Sequence, residues 1–203
     1  MLATATNQIL TVSSIILLIA LAISAYTDIR WRIIPNWVTY PSILLGLGLN
    51  FFDMMSSGAW ANQLGTVGFV DSIAGFLILF FGLLIIFSFS GGGAGDIKLV
   101  GAIGALMGVV YGAEAVCMSF VVCAALVLCG AVLQLGPVKT FLAPLRKLGH
   151  FMFFEYVQEP SEEQTDLLKS AIPLAPFFAV GVALVLLRNG IVTDPQPFQF
   201  LVF

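Results

Sequence analysis

Charged residues are so few in this sequence that they leave uncharged apolar stretches long enough to cross a lipid bilayer. The first stretch runs from Ile9 to Thr27, and its 19 residues would form about 28 Å of α-helix at 1.5 Å per residue. A hydrocarbon core about 30 Å thick needs roughly 20 apolar residues per helix. Hydrophobic residues make up 60% of the 203 residues and charged residues 9%, against about 25% charged in soluble domains. We therefore expect a membrane protein.

Six such stretches predict an all-α, polytopic protein with one membrane-embedded domain over residues 1–203. The predicted transmembrane spans are 9–27, 37–52, 72–90, 99–113, 115–138 and 171–187. The break between the fourth and fifth spans rests on the turn-like residues from Tyr111 to Glu114. A cleaved signal peptide is the alternative for the first span, but residues 1–8 lack the Lys or Arg that such a peptide needs.

The basic residues predict the orientation of these spans. With the N-terminus outside, the inner segments are 28–36, 91–98 and 139–170, which hold seven of the eight Lys and Arg residues. Only Arg188 then falls outside. Because short cytoplasmic loops are enriched in Lys and Arg, we expect both termini on the outer side. The net charge of −3 gives no general attraction to nucleic acid, which is not expected as a partner.

The longest polar connection, residues 139–170, begins with an amphipathic pattern. Four of its apolar residues share one helical face: Phe141, Leu145, Leu148 and Met152. Basic residues lie opposite, as is typical of a helix in the membrane interface. We expect such a helix on the cytoplasmic side, between the fifth and sixth spans.

The three cysteines do not form a metal site. Cys117, Cys123 and Cys129 are six residues apart, so they point about 120° from one another around a helix. They cannot converge on one ion, and the sequence has no CxxC pair of the kind found in zinc sites. We predict neither a metal nor a cofactor.

Two aspartates stand out among the acidic residues. Asp28 ends the first span and Asp96 precedes the fourth, so the predicted topology brings both to the inner membrane boundary, whereas Asp53 and Asp71 flank the outer loop as span terminators. An acid where water is scarce marks a functional site. Adjacent carboxyl groups share a proton, so one can accept a proton from water while the other polarises a peptide carbonyl. From the residues alone, a proton relay in a transporter is an equal alternative.

A glycine-rich segment, residues 91–95, leads to Asp96. Glycine lets another chain approach closely, so we expect Gly93 and Gly95 to let this loop bring Asp96 toward Asp28. A flexible linker with a helix-capping aspartate is the alternative. Lys98 points to a different helical face and is expected to bind lipid headgroups or a charge on a substrate.

The second span is preceded by Pro35 and Asn36. Proline lacks an amide donor, which costs little at a helix start. An asparagine side chain can accept a hydrogen bond from the free amides of the first turn. We expect Pro35 to fix the helix start and Asn36 to cap it.

Three segments carry a resemblance to a known family. Residues 93–99, Gly-Ala-Gly-Asp-Ile-Lys-Leu, resemble the GxGDxK motif of the prepilin peptidases, the intramembrane aspartic proteases that process type IV pilins and related precursors. Residues 28–36, Asp-Ile-Arg-Trp-Arg-Ile-Ile-Pro-Asn, are similar to the first-aspartate segment of that family, and residues 172–177 fit its closing segment. The order of the motifs and the six spans also agree, up to about residue 188.

The resemblance implies that Asp28 and Asp96 are the catalytic pair of a membrane aspartic endopeptidase without a cofactor. It gives supporting roles to five motif positions: Gly93, Gly95, Lys98, Pro35 and Asn36. The implied substrate is a prepilin or pseudopilin, cut at the cytoplasmic face of the bacterial inner membrane. The lipid bilayer and pilus-assembly components are the other implied partners.

The chain departs from the fuller members of that family, which carry a cytosolic domain with paired cysteines that methylates the new pilin N-terminus. Residues 29–36 leave no room for such a domain. The chain therefore resembles the short, peptidase-only branch associated with Flp-type, tight-adherence pili, and methyl transfer is not expected. Archaeal preflagellin peptidases share the two-aspartate design and stay open as an alternative. Presenilin-like proteases lack support, because residues 173–176 read Pro-Leu-Ala-Pro.

Overall fold

The computed structural model describes residues 11–90, 93–135 and 173–191. Within these ranges the chain forms six α-helices and no strand, which confirms the predicted all-α class for this part of the chain. The helices are α1 (Val12–Trp31), α2 (Asn36–Met55), α3 (Ala61–Leu64), α4 (Phe69–Ser90), α5 (Ala94–Leu135) and α6 (Ala175–Ile191). The amphipathic helix predicted within residues 139–170 lies outside the described residues.

Three stretches of helix are long and apolar enough to cross a membrane. They are Val12–Trp31, Ala61–Ser88 and Ala94–Cys129, and Ala175–Arg188 is a shorter apolar helix. Large apolar side chains are exposed along the bundle, as expected where lipid replaces water around a protein. The chain is thus a membrane protein, while the number of six crossings stays a prediction.

Helix α1 begins and ends on identifiable caps. Thr11 and Ser14 exchange side chain to backbone hydrogen bonds in a capping box. At the other end Arg32 adopts a left-handed conformation, with φ 54°, and its amide donates to the carbonyl of Asp28. Because no helix breaker occurs before Pro35, the helix extends beyond the predicted end at residue 27. Asp28 therefore lies in the last turn of α1.

The predicted cap of α2 is wrong in detail. Pro35 occupies the N-cap position, with no side-chain hydrogen bond, and Asn36 is the first helical residue. The carbonyl of Pro35 accepts hydrogen bonds from the amides of Val38 and Thr39, at 3.1 and 3.4 Å. Proline thus starts the helix as expected, but Asn36 does not cap it, because its side chain is bonded elsewhere.

The predicted break at residues 111–114 is also wrong, because these residues are helical and the break lies at Gly108, with φ 74° and ψ −173°. A Cβ on Gly112 would lie 3.4 Å from the Cα of Gly104. Eight residues of straight helix would separate these positions by about 12 Å. The chain therefore reverses direction at Gly108, and residues 94–107 lie beside the start of residues 109–135.

The side chain of Asp71, in the first turn of α4, accounts for the position of this reversal. Its carboxylate accepts a hydrogen bond from the amide of Val109 at 3.4 Å. The same carboxylate packs directly against Gly108, where a Cβ would collide with it. Glycine is also the residue that adopts a positive φ without steric cost. Asp71 thus satisfies an amide that the break leaves without a helical partner.

The first segment of α5, residues 94–107, forms the centre of the bundle. Every residue from 99 to 108 is buried, as expected for a helix that is covered on all sides. Helix α4 crosses it where Gly75 meets Gly104, and their backbones touch because neither residue has a side chain. Helix α6 crosses the second segment of α5 at Gly181. Asp96 therefore stands on the most enclosed helix of the described chain.

Polar side chains on α2 organise the end of the bundle farthest from Asp96. Asn50 accepts hydrogen bonds from the amides of Val67 and Gly68, at 2.9 and 3.0 Å. Asp53, which is buried, accepts from the amide of Trp60 at 3.1 Å and the hydroxyl of Thr66 at 2.6 Å. Asp53 therefore shapes the loop after α2 and does more than terminate a span.

Candidate active site

The predicted site residues lie together at one end of the bundle. Four chain segments meet there: the last turn of α1, the start of α2, the start of α5 and the start of α6. The last turn of α1 supplies Asp28, and the first turn of α5 supplies Asp96. The structure thus brings the two aspartates to the same end of the molecule, although 68 positions separate them in the sequence.

Asp28 is buried and held by a backbone amide. Only 8% of the surface of Asp28 is exposed, and Oδ2 of Asp28 accepts a hydrogen bond from the amide of Ala175 at 3.0 Å. Ala175 is the first residue of α6. The start of one helix therefore fixes a side chain at the end of another.

Asp96 is half-buried in the first turn of α5 and interacts electrostatically with Asp28. The two glycines of its motif supply space. A Cβ on Gly93 would lie 2.9 Å from Oδ2 of Asp96, and a Cβ on Gly95 would lie 2.9 Å from the Cβ of Ile34. Gly93 thus leaves room for the Asp96 carboxyl group, and Gly95 lets α5 pack against the connection between α1 and α2.

Lys98 makes two contacts within the protein that the sequence did not predict, while its binding of headgroups or substrate stays a prediction. Its Nζ donates a hydrogen bond to Oδ1 of Asn36 at 2.8 Å and lies 4.9 Å from the centre of the Tyr40 ring. This second contact has the geometry of a cation–π interaction. Lys98 and Asn36 therefore link the second motif segment to the first.

Sequence reasoning missed the amide of Ala175, because a backbone donor leaves no mark in residue type. The only signal was the resemblance of residues 172–177 to a family segment. A second unpredicted feature is Ser24, which lies one helical turn before Asp28. Its hydroxyl is buried and has no hydrogen-bond partner among the described residues.

One cavity in the described part of the chain lies apart from the aspartates. It has a volume of about 320 Å³ and lies at the opposite end of the bundle. Its polar lining comes from uncharged side chains: Thr11, Ser13, Ser14, Asn62, Thr66 and Tyr111. Within residues 11–90, 93–135 and 173–191, no group of three or more His, Cys, Asp or Glu side chains could hold a metal ion.

The arrangement of the aspartates suits acid–base chemistry on a peptide. One carboxyl group is buried and fixed by a hydrogen bond, and the other is half-buried beside Gly93. Two interacting carboxyl groups can divide the roles of proton acceptor and proton donor. This is the chemistry that activates water for attack on a carbonyl group.

Comparison with known proteins identifies the family to which the chain belongs. The profile of the type IV leader peptidase family matches residues 15–129, which is more than half of the chain and includes both aspartates. No curated protein and no solved structure gives a significant match. The predicted resemblance to prepilin peptidases is thereby confirmed at the level of the family. This membrane protein belongs to the type IV leader peptidase family and is a peptidase.

Proposed function

We propose that the protein is an aspartic endopeptidase that removes the leader peptides of type IV prepilins or pseudopilins, and of Flp-type prepilins in particular. Family membership supports the peptidase activity. The observation that carries the aspartic mechanism is the placement of Asp28 and Asp96 at the same end of the bundle. Their carboxyl groups activate a water molecule for attack on the scissile carbonyl. The substrate binds as an extended strand, because a helical peptide bond hides its carbonyl from attack.

We further propose six membrane crossings, with both termini outside and the active site at the cytoplasmic face of the bacterial inner membrane. The reversal at Gly108 supports this count, since it divides α5 into two crossings. The charges support the orientation. Arg30, Arg32 and Lys98 lie at the aspartate end, whereas Arg188 lies at the other end and donates to Glu114 at 2.7 Å. Short cytoplasmic loops are enriched in basic residues.

The short connection between α1 and α2 supports a peptidase without methyltransferase activity. Helix α1 ends at Trp31 and α2 begins at Asn36. The four residues between them cannot form a cytosolic domain. We propose that the protein cuts its substrates without a cofactor, and that it acts beside the pilus-assembly components that receive the mature pilin.

The test is cleavage of a co-expressed Flp-type prepilin in membranes by Asp28→Asn and Asp96→Asn variants. Each variant removes one member of the acid–base pair, so we expect the cleavage rate to fall by at least about 100-fold. Asp53→Asn is the matched control. It changes an equally buried aspartate at the opposite end of the bundle and should cleave at the parent rate.

Three results would contradict parts of the proposal. If folded Asp28→Asn and Asp96→Asn variants cleaved at the parent rate, the aspartic mechanism would be wrong. If the protein cleaved no prepilin and the same variants lost proton-coupled uptake, the two aspartates would form the proton relay of a transporter. A methylated pilin N-terminus produced by this chain alone, detected by mass spectrometry, would contradict the peptidase-only assignment.

A further inference from the structure

We propose that the amide of Ala175 divides the catalytic roles between the two aspartates: it makes Asp28 the base that accepts a proton from water, and it leaves Asp96 as the acid. This inference rests on the proposed function. The amide of Ala175 is a positioning group, because it acts through Asp28 and not on the substrate.

The contact has the features of a strong hydrogen bond to a carboxylate. The donor nitrogen of Ala175 lies 3.0 Å from Oδ2 of Asp28, Ala175 is fully buried, and Asp28 is nearly so. A hydrogen bond donated to the charged form of a carboxyl group stabilises that form. The contact also lies at the N-terminus of a 17-residue helix, where the helix dipole favours a negative charge.

The local sequence leaves this amide free for Asp28. The first turn of α6 contains Pro176, which has no amide hydrogen. The amides of Phe177 and Phe178 both donate to the carbonyl of Leu174, at 3.0 and 3.1 Å. Ala175 is therefore the donor that the helix start directs at the carboxylate.

Asp96 lacks a comparable partner. Its carboxyl group accepts no hydrogen bond within the described part of the chain, although it also lies in the first turn of a helix. The negative charge of Asp28 disfavours a second negative charge beside it. The shared proton therefore resides on Asp96, which is the more accessible of the two residues.

The charged groups on the surrounding elements do not reverse this assignment. Arg30 on α1 and Arg32 at its C-cap are exposed, and Lys98 on α5 is bonded to Asn36. Helix α2 contributes Asp53 and α6 contributes Arg188, both at the far end of the bundle. Among the described residues, neither Asp28 nor Asp96 forms a salt bridge.

The assignment gives a balanced hydrolysis. Water attacks the scissile carbonyl carbon and passes a proton to Asp28, while Asp96 donates its proton to the carbonyl oxygen. The carbon–nitrogen bond then breaks. The proton on Asp28 goes to the leaving amine, and a hydroxyl of the intermediate returns a proton to Asp96. Both side chains finish in their starting states, and the products are a carboxylic acid and an amine.

The decisive variant replaces Ala175 by lactic acid, which converts the amide to an ester and removes only the N–H group. Without this donor the ionised form of Asp28 is less stable, so we expect the acid limb of the pH profile of cleavage to move up by about one to two pH units. The matched control is the same replacement at Ala179. It removes an amide from the same helix away from Asp28 and should leave the limb in place.

A genetically encoded variant provides an independent measurement. Ala175→Pro also lacks the N–H group, and proline is well tolerated at the first position of a helix. It should shift the acid limb in the same direction, whereas Ala175→Gly, which retains the amide, should not. Thermal melting of each variant in detergent identifies the folded preparations that enter the comparison.

An acid limb at the same pH in the Ala175 and Ala179 esters would overturn the division of roles. The same holds for equal acid limbs in Ala175→Pro and Ala175→Gly. These results differ from failure of the proposed function, which appears as cleavage by the Asp28→Asn and Asp96→Asn variants. If those variants are inactive but removal of the amide moves no limb, only the role of Ala175 is wrong.

Discussion

Lys98 and Asn36 connect the two motif segments through side chains that sequence analysis assigned separate roles. Their hydrogen bond holds the start of α5, where Asp96 lies, against the start of α2. The pair is at least partly exposed, so water competes for both groups and the contact is modest in energy. Its importance is geometric, since a small displacement of α5 changes the distance between the two carboxyl groups.

We therefore expect Lys98→Met and Asn36→Ala each to lower the cleavage rate several-fold. A hydrogen bond of this kind contributes about 0.5–1.5 kcal/mol, which sets the size of the effect. The measurement is a double-mutant cycle on kcat/KM with a prepilin substrate. The double variant should be no slower than the slower single variant, because both substitutions break the same bond. Losses that multiply in the double variant would show that the two side chains act independently.

At this scale the sequence predicted which residues meet, but not every contact they make. Asp28 and Asp96 could be placed at one end because span boundaries and basic residues set their depth. The cap of Asn36 could not be excluded, since its competing partner Lys98 is distant in sequence. The amide of Ala175 was invisible, because every residue except proline carries such a donor.

At the scale of the secondary-structure elements, helices α4 and α5 pack closely because glycines lie at their crossing. Helices α4 and α5 cross where Gly75 and Gly104 bring their backbones into contact. Small residues at a crossing allow close packing inside a membrane, where the hydrophobic effect does not drive helices together. The crossing is one of the contacts that hold residues 94–107, and therefore Asp96, at a fixed height in the bundle.

Gly75→Ala should destabilise the fold by about 1–3 kcal/mol, because the new methyl group has no space at this crossing. Gly82→Ala is the matched control on the same helix, since a Cβ there has no atom within 4 Å. It should be neutral or slightly stabilising, because alanine favours helix more than glycine does. Reversible unfolding in detergent measures both variants. Equal stabilities would mean that the two helices can separate at no cost.

The existence of a helix could be predicted where a long apolar stretch requires one. The residues at which each helix begins and ends were less predictable. The predicted second and third spans lie within α2 and α4, with boundaries shifted by up to three residues. The break in α5 was predicted at residues 111–114 because their composition is typical of a turn. In the structure these residues are helical, and the only non-helical residue inside α5 is Gly108. Asp71 on another helix packs against Gly108 and accepts a hydrogen bond from the amide of Val109, and such tertiary contacts do not appear in a local pattern.

The two ends of the whole molecule differ in chemistry. One end carries the aspartates with Arg30, Arg32 and Lys98, and the other carries a loop bonded to Asn50 and Asp53. That loop is held by hydrogen bonds to α2, and it contains no Lys or Arg. This asymmetry is the basis of the proposed orientation.

Labelling of single cysteines tests the orientation. Arg30→Cys and Asn62→Cys place exposed thiols at opposite ends, in a background where Cys117, Cys123 and Cys129 are replaced by alanine. In intact cells a membrane-impermeant maleimide should label Asn62→Cys, and Arg30→Cys should react only after the membrane is opened. Retained prepilin cleavage verifies the fold. The reverse labelling pattern would place the aspartates on the outer face.

The enclosure of residues 94–107 has a consequence for how the protein is made. A helix that is surrounded by protein cannot reach its final packing if it leaves the translocation machinery without its partner helices. Because the chain reverses at Gly108, this helix can enter the bilayer together with residues 109–135 as one hairpin. Its closure by α6 must wait until residues 175–191 have been synthesised. The bond between Asp28 and Ala175 therefore forms only after α6 has been made, so the newly made chain assembles its active site after α6 has been inserted.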